Sequence, residues 1–299
     1  MQRRLMKTRC GFVAVVGRPN VGKSTLINAI MGKKISIVTN KPQTTRHRIL
    51  AVHTDGDTQI VFVDTPGIHR KAARAMNRLM NRTATSALAD ADLVLFVAEA
   101  IRWTEEDDDV LLRLKSIEAP VIALLNKVDR VHPKERLLES LAAMSARHEF
   151  AEIFPISALK KDNLRELMHA IPDFLPESPP LFPEQMQTDR SVEFRAAEVV
   201  REKLMQMLHQ EVPYGLTVQI ERYATEGEQV MIDAIIWVDR DSQKGIVVGK
   251  GGQVLKTVGQ SARLDLCEQL GSRVHLELWV KVKDNWSDSE QDLLRLGYE

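Results

Sequence analysis

Short apolar runs alternate with amphipathic stretches along the first half of this chain of 299 residues. The runs are typical of buried strands and lie at 12–16, 59–63, 93–97, 121–125 and 152–156. Helical periodicity separates them at 23–31, 76–89, 107–116 and 133–145. The alternation predicts an α/β domain with a mostly parallel sheet and helices on both faces. Functional loops are then expected at the carboxyl ends of the strands.

A proline-rich segment separates this pattern from a different one. Five of the twelve prolines lie within 171–188, where each fixes φ and removes a backbone donor. The later pattern predicts a helix at 191–209, strands at 216–223 and 229–239, a short apolar turn at 246–248, a helix at 253–270, a strand at 273–282 and a closing helix within 287–299. We therefore expect a first domain at 1–172, a linker at 173–190 and an α+β domain with its tail at 191–299.

Composition indicates the type of cellular compartment and gives little information about function. Lys plus Arg and Asp plus Glu number 41 each, so no overall basic excess points to nucleic acid. The two cysteines have no metal-binding spacing and fit a reducing compartment. No apolar run approaches the roughly 20 residues that span a bilayer, and no apolar signal core follows the basic N-terminus.

The loop after the first strand has the pattern of a phosphate-binding loop. Four residues separate two glycines, and Lys and Ser follow the second glycine. We expect Lys23 to neutralise β- and γ-phosphate oxygens and Ser24 to bind Mg²⁺. The residues expected to contact the nucleotide here are Gly17, Arg18, Pro19, Asn20, Val21, Gly22, Lys23, Ser24 and Thr25.

Two further segments complete the predicted phosphate and Mg²⁺ site. Asp64, Thr65, Pro66 and Gly67 end the strand at 59–63, where the carboxylate can hold Mg²⁺ and the Gly67 amide can meet the γ-phosphate. A threonine in the loop at 41–46 would complete the Mg²⁺ ligands, and we prefer Thr45 to Thr44. The alternative for this loop is a polar surface turn.

Polar residues after the next two strands predict which base is bound. Asn126, Lys127 and Asp129 follow the strand at 121–125. The Asp129 carboxylate can accept hydrogen bonds from both N1–H and the N2 amine of guanine, a pair of donors that adenine lacks. Lys127 can lie over the ring plane. Ser157 and Ala158, after the strand at 152–156, are expected to brace Asp129 and to offer a backbone amide to guanine O6.

Hydrolysis must use an unusual arrangement, because Ile68 stands where Ras-like enzymes have a water-orienting glutamine. We expect slow turnover with Asn20, Lys23, Thr45 and Gly67 as catalytic groups. The Asn20 side chain can help to bind K⁺ near the phosphates; the alternative is that Asn is chosen there for its tolerance of left-handed backbone. Arg46 and Arg48 are further candidates for stabilising charge.

The second domain contains a Gly-x-x-Gly loop between two predicted helices. Gly249, Lys250, Gly251 and Gly252 fit the loop with which KH domains clamp a nucleic-acid backbone. Residues 191–283 contain 12 basic and 13 acidic side chains, yet 244–263 contains four basic and no acidic ones: Lys244, Lys250, Lys256 and Arg263. This local basic patch predicts RNA binding; the alternative is a solvated helix face. Cys267 is interpreted as a core residue, and Trp237 and Trp279 as core or domain-packing residues. The alternative for the two tryptophans is stacking on RNA.

Taken together, these motifs resemble the Era family of bacterial GTPases, which carry a C-terminal type II KH domain. The resemblance covers nearly the whole chain. It is strongest in Gly-Arg-Pro-Asn-Val-Gly-Lys-Ser-Thr at 17–25, Gln-Thr-Thr-Arg-His-Arg at 43–48, Asp-Thr-Pro-Gly at 64–67, Asn-Lys-Val-Asp at 126–129 and His-Leu-Glu-Leu-Trp-Val-Lys-Val-Lys at 275–283. The Gly-x-x-Gly loop departs from the family's usual Gly-Asn-Lys-Gly but keeps both outer glycines.

The resemblance implies a Mg²⁺-dependent GTPase that binds small-subunit (16S) rRNA near its 3′ end and assists 30S subunit maturation. It also implies K⁺ dependence, a cytoplasmic location with some peripheral association with the inner membrane, and no obligate protein partner. Two alternatives are an ATPase or kinase with a protein-binding second domain, and a tRNA-modification GTPase. Asn126 and Asp129 argue against the first, and the lack of a redox or metal cluster argues against the second.

Overall fold

A six-stranded sheet organises the first half of the chain in a computed structural model that describes residues 8–67 and 74–298. The strand order is β2-β3-β1-β4-β5-β6, and only the β2–β3 pair is antiparallel. The strands are β1 (Arg9–Val16), β2 (Ile49–Asp55), β3 (Thr58–Asp64), β4 (Leu93–Glu99), β5 (Val121–Asn126) and β6 (Glu152–Pro155). The predicted mostly parallel α/β sheet is confirmed, whereas strand β2 was not predicted.

Within the described residues, the α-helices of this half of the chain are α1 (Lys23–Met31), α2 (Ala75–Ala89), α3 (Glu105–Leu114), α4 (Arg136–Ser145) and α5 (Leu164–Ala170). Helix α3 begins two residues earlier than predicted, because Thr104 and Asp107 form a reciprocal capping box at its start. Helix α4 begins three residues later than predicted, and α5 was not predicted. The inner strands β4 and β5 are apolar on both faces and are almost fully buried, as expected for parallel strands covered by helices.

The proline-rich segment lies along the first unit, which extends to Asp189. Gln59, fully buried on β3, accepts hydrogen bonds from the amides of Leu181 (2.8 Å) and Phe182 (2.9 Å) and donates to the Phe182 carbonyl (2.9 Å). The Val52 amide on β2 donates to the carbonyl of Gln187 at 3.1 Å. The segment expected to be a linker, 173–190, is therefore hydrogen-bonded to the strands of the first unit.

The second unit has the predicted order of elements. It comprises α6 (Val192–Met207), β7 (Leu216–Glu226), β8 (Gln229–Val238), α7 (Asp241–Val248), α8 (Gln253–Leu270), β9 (Arg273–Val282) and α9 (Glu290–Arg295). Strands β7 and β8 are antiparallel, and β8 and β9 are parallel. The apolar turn predicted at 246–248 is the last turn of α7. This α+β arrangement confirms the predicted fold class of the second domain.

A short stretch from the first half of the chain also belongs to the second unit. Residues 37–44 lie within it. The Lys41 ammonium donates to the carbonyls of Met205 and Leu208 at the end of α6, and the Val38 amide donates to a Glu202 carboxylate oxygen at 2.9 Å. A cation at the C-terminal end of a helix is favoured by the helix dipole.

The interpretation of Trp279 as a core residue is wrong, and Trp237 is only partly covered. Trp279 is 42% exposed, and Trp237 is half-buried with its indole N–H bonded to Gln219 at 2.9 Å. Both lie on the face of the sheet opposite to Ile236, Val238 and Val280, which are buried in the core with α6 and α8. Cys267 packs against that core and is half-buried. The buried aromatic residues come from the segment after β9, where the rings of Trp286 and Tyr298 lie 5.9 Å apart.

Replacing Gln59 by Ala should detach the proline-rich segment from the sheet. The part-buried amides of Leu181 and Phe182 lose their acceptor, so we expect the free energy of unfolding to fall by about 1–3 kcal/mol. Urea unfolding followed by far-ultraviolet circular dichroism measures this change. The matched control is Gln185→Ala, since Gln185 is exposed on the same segment. Equal stability of the two variants would contradict the structural role of Gln59.

Candidate nucleotide site and nucleic-acid groove

The phosphate loop is closed around its lysine. The Lys23 ammonium donates to the carbonyls of Gly17 (3.0 Å) and Arg18 (3.1 Å). Burial lowers the pKa of Lys23 to about 8, and the nearby Arg18 contributes in the same direction. Gly22 at the N-cap has no side chain to occupy the first amides of α1. In the phosphate loop, a buried cation and a helix N-terminus therefore lie at the same place, and both attract an anion.

Gly22 also allows a second loop to contact the phosphate loop. This loop, 126–129 at the end of β5, contains the residues predicted to recognise the base and is called the base-recognition loop. Its φ of 107° lies in the left-handed region that only glycine adopts readily. A Cβ at this position would lie 2.4 Å from Asn126 Nδ2. The Asn126 amide group donates from this point to the carbonyl of Val21 at 2.8 Å. The second glycine of the motif is thus required both by the backbone conformation and by the approach of Asn126.

Three oxygen ligands meet where Mg²⁺ was predicted. The Ser24 hydroxyl lies 2.9 Å from Thr45 Oγ1 and donates to Asp64 Oδ2 at 2.9 Å. Thr44, the less favoured candidate, bonds instead to Thr39 Oγ1 at 2.6 Å and to the carbonyl of Lys41 at 2.7 Å. Burial raises the pKa of the Asp64 carboxyl. A carboxylate and two hydroxyls are ligands that suit Mg²⁺, so the donor set fits this ion.

The chain after β3 passes directly against the phosphate loop. Thr65 donates from its hydroxyl to the carbonyl of Val15 at 2.9 Å. A Cβ on Gly67 would lie 2.9 Å from Pro19 Cγ. The segment from Asp64 to Gly67 therefore lies against the phosphate loop. Ile68, at the position of the expected water-orienting residue, lies outside the described residues.

The base-recognition residues form one hydrogen-bonded group. Asn126 Oδ1 accepts from the amides of Lys127 (2.8 Å) and Ala158 (3.0 Å). The Ser157 hydroxyl donates to Asp129 Oδ1 at 2.6 Å, so Ser157 lies where it was expected to brace the carboxylate. The Ala158 amide, expected to meet guanine O6, is bonded to Asn126 here. Asn126 thus joins three loops that come from different strands.

Arg18 is in the phosphate loop, but its side chain is directed to carboxylates. Arg18 Nη2 lies 2.9 Å from Glu99 Oε2, and its Nε donates to Asp107 Oδ2 at 2.9 Å. Sequence reasoning missed both acids. Their positions are a signal that could have found them, since Glu99 ends β4 and Asp107 belongs to the Thr104 capping box. Asn20 is exposed with a φ of 62°, so its left-handed backbone is a feature of the loop.

A groove beside the Gly-x-x-Gly loop combines basic and apolar side chains. It encloses about 410 Å³. Its lining residues are Gly252, Leu255, Lys256, Gly259, Gln260, Arg263, Leu276 and Leu278. Two of the four predicted basic residues, Lys256 and Arg263, line the groove, while Lys250 is exposed on the loop and Lys244 is exposed on α7. Sequence reasoning missed the apolar floor, because Leu276 and Leu278 come from β9.

The glycines of this loop are required by its conformation. Gly249 has a φ of 74°, and a Cβ there would lie 2.4 Å from Val254 Cγ2. Gly251 and Gly252 also have positive φ. Because α8 begins at Gln253 directly after the loop, its N-terminus lies beside the groove. Helix N-termini attract phosphates, and the groove fits a single-stranded nucleic-acid backbone.

Comparison with known proteins identifies the family. The chain is 50% identical to the GTPase Era of Marinobacter nauticus over 291 residues, which cover 97% of this chain and 95% of the relative. The chain belongs to the Era family of GTPases. Era of Vibrio parahaemolyticus is likewise 50% identical, with 97% of this chain and 91% of the relative covered. Family models for a 50S ribosome-binding GTPase and for a KH domain match residues 12–127 and 211–287.

Two solved Era structures have the same fold as this chain. A variant of Aquifex aeolicus Era bound to GDP and AlF₄⁻ matches with a TM-score of 0.93 and 41% identity, over 97% of this chain and 99% of that one. Era in complex with MgGDPNP and nucleotides 1506–1542 of 16S rRNA matches with a TM-score of 0.94, the same identity and the same coverage. The chain is therefore a GTPase with a C-terminal KH domain, and its family uses Mg²⁺ and guanine nucleotides.

Within the described part of the chain, no helix combines the length and the apolar character needed to cross a bilayer.

Asp129→Asn should change which base is bound. The amide can accept only one of the two hydrogen bonds from guanine, and each charge-assisted bond is worth about 1.5 kcal/mol or more. We expect GDP affinity to fall roughly 100-fold and xanthosine diphosphate, which has an acceptor at C2, to bind better than GDP. Isothermal titration with both nucleotides measures this.

The exposed Asp173→Asn is the matched control for this substitution. Unchanged preference for guanine in Asp129→Asn would exclude the assigned role of Asp129.

Proposed function

We propose that this chain binds the 3′ region of 16S rRNA through its KH domain and assists assembly of the 30S subunit, with GTP controlling the interaction. The groove of Lys256, Arg263, Leu276 and Leu278 is the observation that supports RNA binding. Apolar side chains can pack against unstacked bases, while exposed cations and the start of α8 can hold the backbone. The Era structure with nucleotides 1506–1542 of 16S rRNA supports the choice of RNA.

The roles of the nucleotide-site residues are part of the same proposal. Lys23 and the amides of the phosphate loop hold the phosphates, and Ser24, Thr45 and Asp64 hold Mg²⁺. Asp129 reads the guanine edge, and Gly67 offers its amide to the γ-phosphate. The Asn20 side chain contributes an oxygen to a K⁺ ion beside the phosphates. Nucleotide chemistry then belongs to residues 1–172, and RNA recognition belongs to residues 191–299.

Location is proposed from family membership alone. We assign the protein to the cytoplasm, with peripheral association with the cytoplasmic face of the inner membrane. Flotation of the purified protein with vesicles of anionic lipid tests this association. A protein that stays in the dense fraction at low salt would contradict it.

Lys250→Glu should weaken RNA binding about tenfold or more at constant salt, because a phosphate contact becomes a repulsion. Fluorescence anisotropy with a 16S rRNA 3′ fragment, in GDPNP and in GDP, measures the effect and shows whether the nucleotide controls it. Lys115→Glu is the matched control, since Lys115 is exposed in the nucleotide-binding domain. RNA affinity unchanged by Lys250→Glu would place the RNA elsewhere on the protein.

Potassium should stimulate GTP hydrolysis relative to sodium, and Asn20→Gly should remove the difference. Glycine keeps the left-handed backbone at φ 62° and removes the whole side chain, including its oxygen. Steady-state turnover in K⁺ and in Na⁺ measures this. Asn285→Gly, at another exposed left-handed asparagine, is the control. If Asn20→Gly retains the stimulation, Asn20 serves loop geometry and does not bind the cation.

A further inference from the structure

One carboxylate joins the base-recognition loop to the phosphate loop. The Lys127 ammonium donates to the carbonyl of Asn20 at 2.8 Å and forms an ion pair with Glu99 Oε1. The second oxygen of Glu99, Oε2, lies 2.9 Å from Arg18 Nη2. Glu99 ends β4, the strand between β1 and β5, which lead into these two loops. Its position in the sheet therefore lets it reach both loops at once.

The burial of these side chains makes their pairing energetically important. The side chains of Arg18, Glu99 and Lys127 are 8%, 15% and 22% exposed. Burial disfavours the charged form of Glu99, but Lys127 and Arg18 more than compensate and hold the pKa of its carboxyl below the usual range. Charged side chains buried to this extent are stable only when they are paired. Removing one partner leaves an unpaired buried charge, which lowers the stability of the folded protein.

Arg18 and Lys127 would respond differently to the loss of Glu99. Arg18 has a second carboxylate, Asp107, at 2.9 Å, and the Asp107 side chain is fully buried and also accepts from the Thr104 amide at 2.9 Å. Among the described residues, Lys127 would keep only the neutral carbonyl of Asn20. Neutralising Glu99 should therefore leave the phosphate-loop arginine anchored and release the lysine of the base loop.

We propose that Glu99 is a positioning residue for guanine-nucleotide binding. By fixing the ammonium of Lys127 against the phosphate loop, it stretches the aliphatic part of that side chain along the base pocket and slows release of the bound nucleotide. The inference rests on the proposed placement of Lys127 over the guanine ring. Glu99 belongs to none of the sequence motifs that define the site. It links the loop after β5 to the phosphate loop in addition to the Asn126–Val21 hydrogen bond.

The test is the release rate of a fluorescent mant-GDP from Glu99→Gln, a substitution of the same size that removes the charge. Losing one charge-assisted contact to a partly buried lysine should accelerate release about tenfold. Because Glu99 acts through the base loop, KM for GTP should rise much more than kcat changes. Glu118→Gln is the matched control, since Glu118 is exposed. Glu99→Asp, which keeps the charge on a shorter side chain, supplies the test if Glu99→Gln does not fold.

A double mutant shows whether Glu99 acts through Lys127. Lys127→Met removes the ammonium and keeps the stem, so adding Glu99→Gln to it should accelerate release little further. The proposal is overturned if Glu99→Gln releases mant-GDP at the parent rate, or if the two effects multiply in full. If Lys127→Met alone leaves release unchanged, the ammonium of Lys127 does not set the release rate, and the proposal fails whether or not the stem lies over the base. The assignment of the chain to the Era GTPases does not depend on these outcomes.

Discussion

The hydrogen bonds of the Asn126 side chain hold the nucleotide site together. Its amide group donates to the phosphate loop, and its carbonyl oxygen accepts from the loops after β5 and β6. A buried amide that forms all of these bonds stabilises one arrangement of the loops, because any displacement leaves a polar group unpaired. Gly22 is constrained by the same interaction, since a side chain there would occupy the position of Asn126 Nδ2. The distance between the phosphate cradle and the base pocket is therefore set before a nucleotide binds.

The groove proposed to bind RNA depends on a different constraint, which is the backbone conformation of the Gly-x-x-Gly loop. Gly249, Gly251 and Gly252 have positive φ, and Val254 occupies the space that a Cβ on Gly249 would need. The loop brings the start of α8 beside side chains from β9, so an apolar floor and basic edges lie next to a helix N-terminus. This combination is suited to a flexible single strand, whose bases are exposed and whose phosphates can follow the helix start.

Local sequence patterns were sufficient to predict the motifs, but they could not predict contacts between residues that are distant in the sequence. The phosphate loop, the Asp64 segment and the Gly-x-x-Gly loop each combine a strand or helix end with residues that are adjacent in sequence, so spacing alone indicated them. Strand β2, at the edge of the sheet, was missed because its apolar residues at 49–52 are followed by polar residues at 53–55. Trp279 was misassigned because alternation does not show which face of a strand is covered. Glu99 and Asp107 were missed because their partner Arg18 is more than 80 residues away.

The two predicted binding sites of this chain, whose net charge is zero, differ in the burial and pairing of their cations. In the nucleotide site the cations are buried and already paired, Lys23 with carbonyls and Arg18 with two carboxylates. Such groups lose little freedom when a ligand arrives, and salt screens them weakly. In the KH domain, Lys250, Lys256 and Arg263 are exposed and form no ion pair within the described residues. Their attraction for a polyanion operates through water and decreases steeply with salt. A zero net charge is thus compatible with two anionic ligands, because one site relies on preorganised geometry and the other on a local cluster of cations.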